Sequence, residues 1–254
     1  MIYSHSVGQG PDIVLLHGWG LNAEVWHSVV ERLQQNYRVT VIDLPGHGRS
    51  VDAKVEYSLD VLAQALMDII PDNSVLLGWS MGGLIAQKIA LRYPEKVGKL
   101  ILMACNAQFV QSNDWPFAMK PEVLNMFVEN LLSDYKATLQ RFLMLQARGG
   151  DNTRDTIREL KQRLYAHGEP DTQALYGGLQ LLKNSRFVDQ LPDISVPVLL
   201  ILGRLDALVP CKAGQAMAEK IENVELHIFD KSAHAPFISH LDDFLDVLES
   251  FIQN

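Results

Sequence analysis

The sequence predicts an α/β protein with one mostly parallel β-sheet covered by helices on both faces. Three observations favour this class. Short runs rich in apolar and β-branched residues alternate with longer segments of helical spacing. Several of those runs are almost wholly apolar, as strands buried on both faces are. The chain has 254 residues, 48% of them hydrophobic, which suits one large domain.

The predicted elements follow one another in a βαβ rhythm. The predicted strands are Ile2–Val7, Asp12–His17, Arg38–Asp43, Ser74–Trp79, Gly98–Ala104, Val196–Gly203 and Val224–Phe229. The predicted helices are Ser58–Ile70, Met81–Tyr93, Cys211–Ile221 and Leu241–Ile252. Ser58 and Pro71 bracket the first helix, while Pro94 and Gly98 mark the end of the second.

The strand signals stop after Ala104 and resume at Val196, and the spacing between them is helical, as in Leu160 and Leu164. A helical insertion in such a sheet is typical of a cap over the carboxyl edge, where ligands bind. We therefore expect a core of residues 1–104 and 193–254 and a cap of residues 105–192.

Composition excludes several functions. The net charge of −8 disfavours a nucleic-acid partner, since phosphate binding needs concentrated basic charge. No apolar run is long enough to span a bilayer, and the first residues lack the pattern of a secretory signal. Two cysteines cannot form a disulfide framework. We expect a cytoplasmic monomer without membrane contact, metal or cofactor.

The strongest motif is Gly78-Trp79-Ser80-Met81-Gly82, which leaves a predicted strand and opens a predicted helix. That context is typical of a nucleophile elbow, a tight turn that exposes a serine at a helix N-terminus. The flanking glycines are needed because neighbouring chains pass very close to such a turn. Ser80 is therefore the candidate nucleophile.

A serine hydroxyl needs a base that is held by an acid. His234 is the candidate base, since it follows the final strand and precedes the last helix. Asp206 is the favoured acid, as it follows a strand and lies between the serine and the histidine in the chain. Asp230 is the alternative, only four residues before His234.

An acyl transfer also needs two donors for the oxyanion. The expected donors are the backbone N–H groups of Met81, directly after the serine, and of Trp19, in the turn His17-Gly18-Trp19-Gly20 after an early strand. We expect His17 to brace that turn rather than to transfer protons. The glycines and the proline of the loop Asp43–Ser50 are interpreted as residues that form turns and not as catalytic residues.

This ordered motif set resembles the α/β-hydrolase superfamily along the whole chain. Five segments are also very similar to the family of pimeloyl-[acyl-carrier protein] methyl ester esterases of biotin synthesis. They are Leu15–Trp26, Leu77–Leu84, Asp114–Pro116, Arg141–Gln146 and Ala233–His240. The resemblance implies an enzyme that hydrolyses the methyl ester of pimeloyl-carrier protein and releases methanol.

The same resemblance implies binding residues. Substrate contacts would fall on Trp19, Ser80, Met81, Phe142, Leu143, Met144, Leu145, Gln146 and His234. Contacts with the acyl carrier protein would fall on Arg141, Arg154 and Arg158. A further basic position of the family corresponds to Ala137 here, with Lys136 beside it. The charge pattern agrees with an acidic partner, because residues 130–165 carry +3 while the remaining chain carries −11.

Two other functions are compatible with the sequence. A broad-specificity carboxylesterase, a C–C bond hydrolase or a perhydrolase of the same superfamily would use the same three residues. A ligand-binding protein on a hydrolase scaffold is the non-enzymatic alternative. Ser80 stands where a haloalkane dehalogenase would need an aspartate, which disfavours that reaction.

Overall fold

The computed structural model describes residues 1–254 and is built on one seven-stranded sheet. The strands are β1 (Ser4–Val7), β2 (Asp12–Leu16), β3 (Arg38–Ile42), β4 (Ser74–Trp79), β5 (Val97–Met103), β6 (Val198–Gly203) and β7 (Val224–Phe229). Their order across the sheet is β1-β3-β2-β4-β5-β6-β7. Only β1 runs antiparallel to its neighbour. All seven predicted strands are present, which confirms the mostly parallel α/β class.

Ten α-helices surround the sheet. They are α1 (His27–Leu33), α2 (Leu59–Leu66), α3 (Met81–Arg92), α4 (Pro121–Ser133), α5 (Tyr135–Ala147), α6 (Thr153–Leu164), α7 (Thr172–Asn184), α8 (Cys211–Ala218), α9 (Pro236–Ser239) and α10 (Leu241–Gln253). Ser58 caps α2 as predicted, since its side chain accepts a hydrogen bond from the Val61 N–H at 3.3 Å. None of these helices combines the length and the apolar character that crossing a membrane requires.

The register of the parallel strands brings their carboxyl ends together. Leu16 of β2 pairs with Gly78 of β4, and Trp79 of β4 pairs with Met103 of β5. The loops that follow β2, β4, β6 and β7 therefore emerge at one edge of the sheet. That edge is where open parallel sheets bind their ligands.

Helices α4 to α7, here called the cap helices, all lie in the chain between β5 and β6. Their apolar side chains belong to the same continuous hydrophobic core as the sheet, including Leu139, Leu160 and Leu175. The cap helices are thus packed onto the sheet edge. The limits of core and cap at residues 104 and 193 stay a prediction.

Two local predictions differ from the structure. Helix α1 was not predicted, because its seven residues include adjacent β-branched valines and follow a short 3₁₀ turn, Ala23–Trp26. The stretch after β5 is not helical at its start: Val110 bridges Met119, and Ser112 bridges Trp115. Helical spacing begins only at Pro121, the first residue of α4.

Candidate active site

Ser80 occupies a strained turn between β4 and α3. Its backbone adopts φ 55° and ψ −116°, a conformation that residues with a side chain rarely take. The two flanking glycines are required by space. A Cβ on Gly82 would lie 2.5 Å from the Leu16 carbonyl oxygen, and a Cβ on Gly78 would overlap the Gly82 backbone. The predicted nucleophile-elbow geometry is therefore present.

His234 and Asp206 form a buried pair. His234 Nδ1 lies 2.7 Å from Asp206 Oδ2, and neither side chain is exposed. The other oxygen of Asp206 accepts hydrogen bonds from the backbone N–H groups of Leu208 at 2.8 Å and Val209 at 3.0 Å. Because three donors fix the carboxylate, it holds the His234 ring in one orientation and in the tautomer that carries a proton on Nδ1.

Asp230, the alternative acid, lies elsewhere. Its carboxylate pairs with Arg204 Nε at 2.6 Å, and its side chain is 73% exposed. The structure thus joins Asp206, and not Asp230, to His234.

The second ring nitrogen of His234, Nε2, makes no hydrogen bond. His234 Nε2 is buried and has no hydrogen-bond partner, and no hydrogen bond joins it to Ser80 Oγ. Catalytic hydrogen bonds are often long in unliganded enzymes and tighten when the substrate binds. Ser80 is 3% exposed and His234 is fully buried, so an ester must reach them beneath the cap helices.

The glycine turn after β2 lies against the serine. A Cβ on Gly18 would contact Ser80 Cβ at 3.4 Å. The backbone N–H groups of Trp19 and Met81 donate no hydrogen bond within the protein. Met81 is the first residue of α3, so its N–H has no intrahelical acceptor. Both predicted oxyanion donors are therefore free to bind a ligand oxygen.

Behind this turn lies a second buried cluster that the sequence analysis largely missed. His17 Nε2 accepts the Leu44 N–H at 2.9 Å, and His17 Nδ1 lies 2.8 Å from the Gly18 carbonyl oxygen. Asp43 accepts hydrogen bonds from the Ala23 N–H at 2.7 Å and from Arg49 Nε at 2.7 Å. These bonds tie the loop after β3 to the glycine turn, in agreement with a bracing role for His17.

The two histidines of this second cluster, His17 and His47, have lowered pKa values. Burial, reinforced by the nearby His47, lowers the pKa of His17 to about 3. Burial also lowers the pKa of His47. For Asp43, burial alone would raise the pKa, but hydrogen bonds from Arg49 and Ala23 hold it below its ordinary value. His17 therefore stays uncharged at neutral pH.

The predicted substrate segment of α5 does not all face one way. Phe142, Leu143 and Gln146 are buried, and the Phe142 ring packs edge-on against Trp19 with centroids 4.8 Å apart. Met144 is 52% exposed, and Leu145 is half-buried. A helix turns by about 100° per residue, so five consecutive side chains cannot share one wall. Phe142 is the member that contacts the glycine turn.

The three predicted carrier contacts are all exposed on α5 and α6. Arg141 and Arg154 make no ion pair, whereas Arg158 pairs with Asp155 at 2.8 Å. Lys136, beside Ala137, pairs with Glu169, which raises the pKa of the lysine. Its charge is thus already partnered within the chain.

Comparisons with known proteins agree with this geometry. The family model described as "alpha/beta hydrolase fold" matches residues 11–241. Two relatives named "Pimeloyl-[acyl-carrier protein] methyl ester esterase" come from Aeromonas hydrophila and Vibrio vulnificus. The first is 43% identical over 96% of both chains, and the second is 41% identical over 96% of this chain and 95% of its own.

Solved structures are similar to the whole chain. An esterase from Exiguobacterium antarcticum superposes with a TM-score of 0.91 at 26% identity, covering 100% of this chain and 96% of its own. A bromoperoxidase from Bacillus anthracis has a TM-score of 0.90 at 24% identity over 100% of this chain and 95% of its own, which indicates a shared fold alone. The chain belongs to the α/β-hydrolase family and, within it, to the group of pimeloyl-[acyl-carrier protein] methyl ester esterases.

Proposed function

We propose that this chain is a serine carboxylesterase that hydrolyses the methyl ester of pimeloyl-[acyl-carrier protein], forming the free acid and methanol for biotin synthesis. The reaction is supported above all by the buried His234–Asp206 pair, because His234 Nε2 is left without a partner and the His234 carbonyl oxygen is bound by Trp79, the residue directly before Ser80. The substrate is supported by the two relatives of that name, each over 40% identical to this chain.

In the acylation step, His234 Nε2 takes the Ser80 proton while Oγ attacks the ester carbonyl carbon. The N–H groups of Trp19 and Met81 bind the oxyanion of the tetrahedral intermediate, and each such donor is worth about 3 kcal/mol of transition-state stabilisation. His234 then gives the proton to the departing methoxide, which leaves as methanol. Asp206 stabilises the imidazolium that forms between these transfers.

In the deacylation step, the same histidine activates water. The water oxygen attacks the acyl-serine carbonyl, its proton passes to His234 Nε2, and the Ser80 oxygen recovers that proton as it leaves. The carboxylic acid product then departs as its carboxylate.

Selectivity between two acyl bonds requires a physical cause. The substrate has a methyl ester at one end and a thioester at the carrier end, and only the ester is to be cleaved. Because Ser80 is buried beneath the cap helices, a bulky carrier protein stays outside and only the far end of an extended chain reaches the hydroxyl. We propose residues 105–192 as this cap, seated on a core of residues 1–104 and 193–254.

Helix α5 provides a route between the two sites. Arg141 is exposed to solvent, whereas the next residue, Phe142, packs against Trp19. Arg141, Arg154 and Arg158 would bind an acidic carrier protein at the solvent-exposed surface of α5 and α6. The buried side of α5, which includes Phe142, would border the acyl chain. We propose that Leu143, Leu145 and Gln146 contact the substrate as well, whereas Met144 is 52% exposed, so its predicted contact would lie on the outer side of α5.

Charge reversal tests carrier docking. The triple variant R141E/R154E/R158E should lower kcat/KM for the carrier-linked ester by at least tenfold at low salt and leave a small soluble methyl ester within about twofold. The matched control is K212E/K220E on the surface around α8, far along the chain from the cap helices. Equal losses on both esters in the triple variant would refute docking at these arginines.

The direct functional test is complementation of a bacterial mutant that needs biotin because it lacks this esterase. Growth with the wild-type chain, none with Ser80→Ala, and methanol release from the purified carrier-linked ester are expected. A broad carboxylesterase would instead hydrolyse simple esters without preference for the carrier-linked one. A binding protein would show no turnover and no labelling of Ser80 by a fluorophosphonate.

A further inference from the structure

The polar atoms of His234 are held from three different parts of the chain. Its backbone N–H donates to the Gln146 carbonyl oxygen of α5 at 2.8 Å. Its own carbonyl oxygen accepts from Trp79 Nε1 at 2.9 Å, and its Nδ1 is bound by Asp206. Nε2, the atom that exchanges protons with Ser80, is the only polar atom of His234 that is left without a partner.

Trp79 stands at the junction of the two catalytic loops. It is the last residue of β4, directly before Ser80, and it is fully buried. Its ring packs 5.7 Å from the His234 ring and 4.9 Å from Phe237, which follows in α9. One side chain thus connects the nucleophile strand to a histidine loop 155 residues further along the chain.

We propose that Trp79 is a positioning residue, whose indole N–H fixes the His234 backbone at the distance from Ser80 that proton transfer requires. The inference rests on the proposed function and adds a residue to it. Full burial among Trp26, Phe237 and His234 argues against a ligand-facing wall and for a structural link.

A tryptophan suits this position for a specific reason. The donor must reach the His234 carbonyl across the core from β4, and the ring must fill the volume between. Phenylalanine and leucine fill part of that volume but donate nothing, which would leave a buried carbonyl oxygen without its partner. The backbone of the His234 loop would then be free to shift relative to Ser80.

The molecule contains a matched control for the loss of ring volume. Trp26 is fully buried too, packs against Trp79 with centroids 6.2 Å apart and contacts Phe237. Its indole Nε1 has no hydrogen-bond partner. Replacing Trp26 by phenylalanine therefore removes the same atoms from the same core region and breaks no hydrogen bond.

The experiment compares Trp79→Phe with Trp26→Phe on a small soluble methyl ester. Trp79→Phe should lower kcat about 3- to 10-fold, the factor that corresponds to one net hydrogen bond, with KM within about twofold. The rate of Ser80 labelling by a fluorophosphonate should fall by a similar factor. Trp26→Phe should lower the melting temperature, because it removes the same ring volume from the core. It should keep kcat and the labelling rate within about twofold of the wild-type values.

A second replacement removes the N–H without changing the shape. Benzothienylalanine at position 79 has sulfur where the indole has N–H, and it keeps the ring volume of tryptophan. The variant should therefore fold normally and still show the loss of kcat, because the hydrogen-bond donor is missing. Unchanged kcat and labelling in this isostere, or equal losses in the two phenylalanine variants, would overturn the positioning role. Ser80→Ala provides the distinction from the broader proposal: if it stays active, the serine mechanism itself fails.

Discussion

Two buried histidine clusters lie at the same edge of the sheet, and they differ in the partners of their ring nitrogens. Around His17, both ring nitrogens face backbone partners, and the nearby carboxylate of Asp43 is bound by Arg49 and by backbone N–H groups. Around His234, one nitrogen is bound by a carboxylate and the other is left free. Burial is common to both, so burial alone does not identify a catalytic histidine.

His47 sharpens the same lesson. Its Nε2 is also buried without a partner, but its Nδ1 lies 3.0 Å from the Pro45 carbonyl oxygen and not against a carboxylate. A free nitrogen is therefore not sufficient either. The combination that supports catalysis is a free nitrogen, an opposite nitrogen held by a carboxylate and a strained serine on the adjacent loop.

The largest expected effect separates the two histidines. His234→Gln should lower kcat on a soluble ester by roughly 10⁴- to 10⁶-fold while the protein stays folded, because the general base is lost. His17→Gln should act mainly on stability, since it disrupts two buried hydrogen bonds. Steady-state kinetics and urea unfolding of both variants provide the comparison. A catalytic loss in His17→Gln as large as in His234→Gln would remove the distinction.

The two aspartates should separate in the same way. Asp206→Asn should lower kcat by about 10⁴-fold with little change in stability, because the amide favours the wrong histidine tautomer. Asp43→Ala should instead destabilise the fold by about 3 kcal/mol, since it leaves backbone donors and the partly buried Arg49 without their acceptor. Denaturant titration and kinetics at matched folded fraction measure both. Similar kinetic losses in the two variants would contradict the assignment.

The buried cluster around His17 should make the free energy of unfolding depend on pH. The pKa of His17 is about 3 in the folded protein and about 6.5 in an unfolded chain, so the unfolded chain binds more protons between these values. Stability is therefore full above pH 6.5 and falls with decreasing pH, by about 1.4 kcal/mol per pH unit for one such buried group. Urea unfolding at pH 7.5, 6 and 5 tests this.

His17→Gln should flatten that dependence, although His47 keeps part of it because burial lowers its pKa as well. His5→Gln, at an exposed position of β1, is the matched control and should keep the wild-type slope. An unaltered slope in His17→Gln would show that other groups govern the acid sensitivity.

The smallest expected effect concerns the link between the cap helices and His234. Beyond α5, the Asp151 N–H donates to the Lys231 carbonyl oxygen at 2.9 Å, and a Cβ on Gly150 would lie 3.0 Å from the Ala233 nitrogen. Gly150→Ala should push the histidine loop by a few tenths of an ångström and lower kcat about 3- to 10-fold, since catalysis depends steeply on placement. Kinetics on a soluble ester measure the effect.

Gly168→Ala is the control for this last variant. A Cβ on Gly168 would meet no atom within 4 Å, although its φ of +89° makes the substitution a strain on the backbone. It should lower the melting temperature and preserve kcat. Equal kinetic losses in the two glycine variants would show that contact with the histidine loop is not the cause.

The difference between the clusters also explains what the sequence could predict. Ser80 is recognisable because glycine spacing and the strand-to-helix context are local signals, and the strands are recognisable by their apolar runs. The Ala23–Asp43, Leu44–His17 and Trp79–His234 bonds join segments that are distant in the chain, and no local sequence pattern predicts them. Met144 shows the same limit, since the family segment gives its position in sequence but not the side of α5 on which it lies.

Acyl-enzyme formation on Ser80 can be tested by intact-protein mass spectrometry of the enzyme quenched during turnover of the carrier-linked methyl ester. A serine acyl-enzyme mechanism predicts a covalent pimeloyl adduct on Ser80 that retains the carrier thioester, forms with release of methanol and is missing in Ser80→Ala. Continued methanol release by Ser80→Ala, or an adduct on another residue, would contradict it.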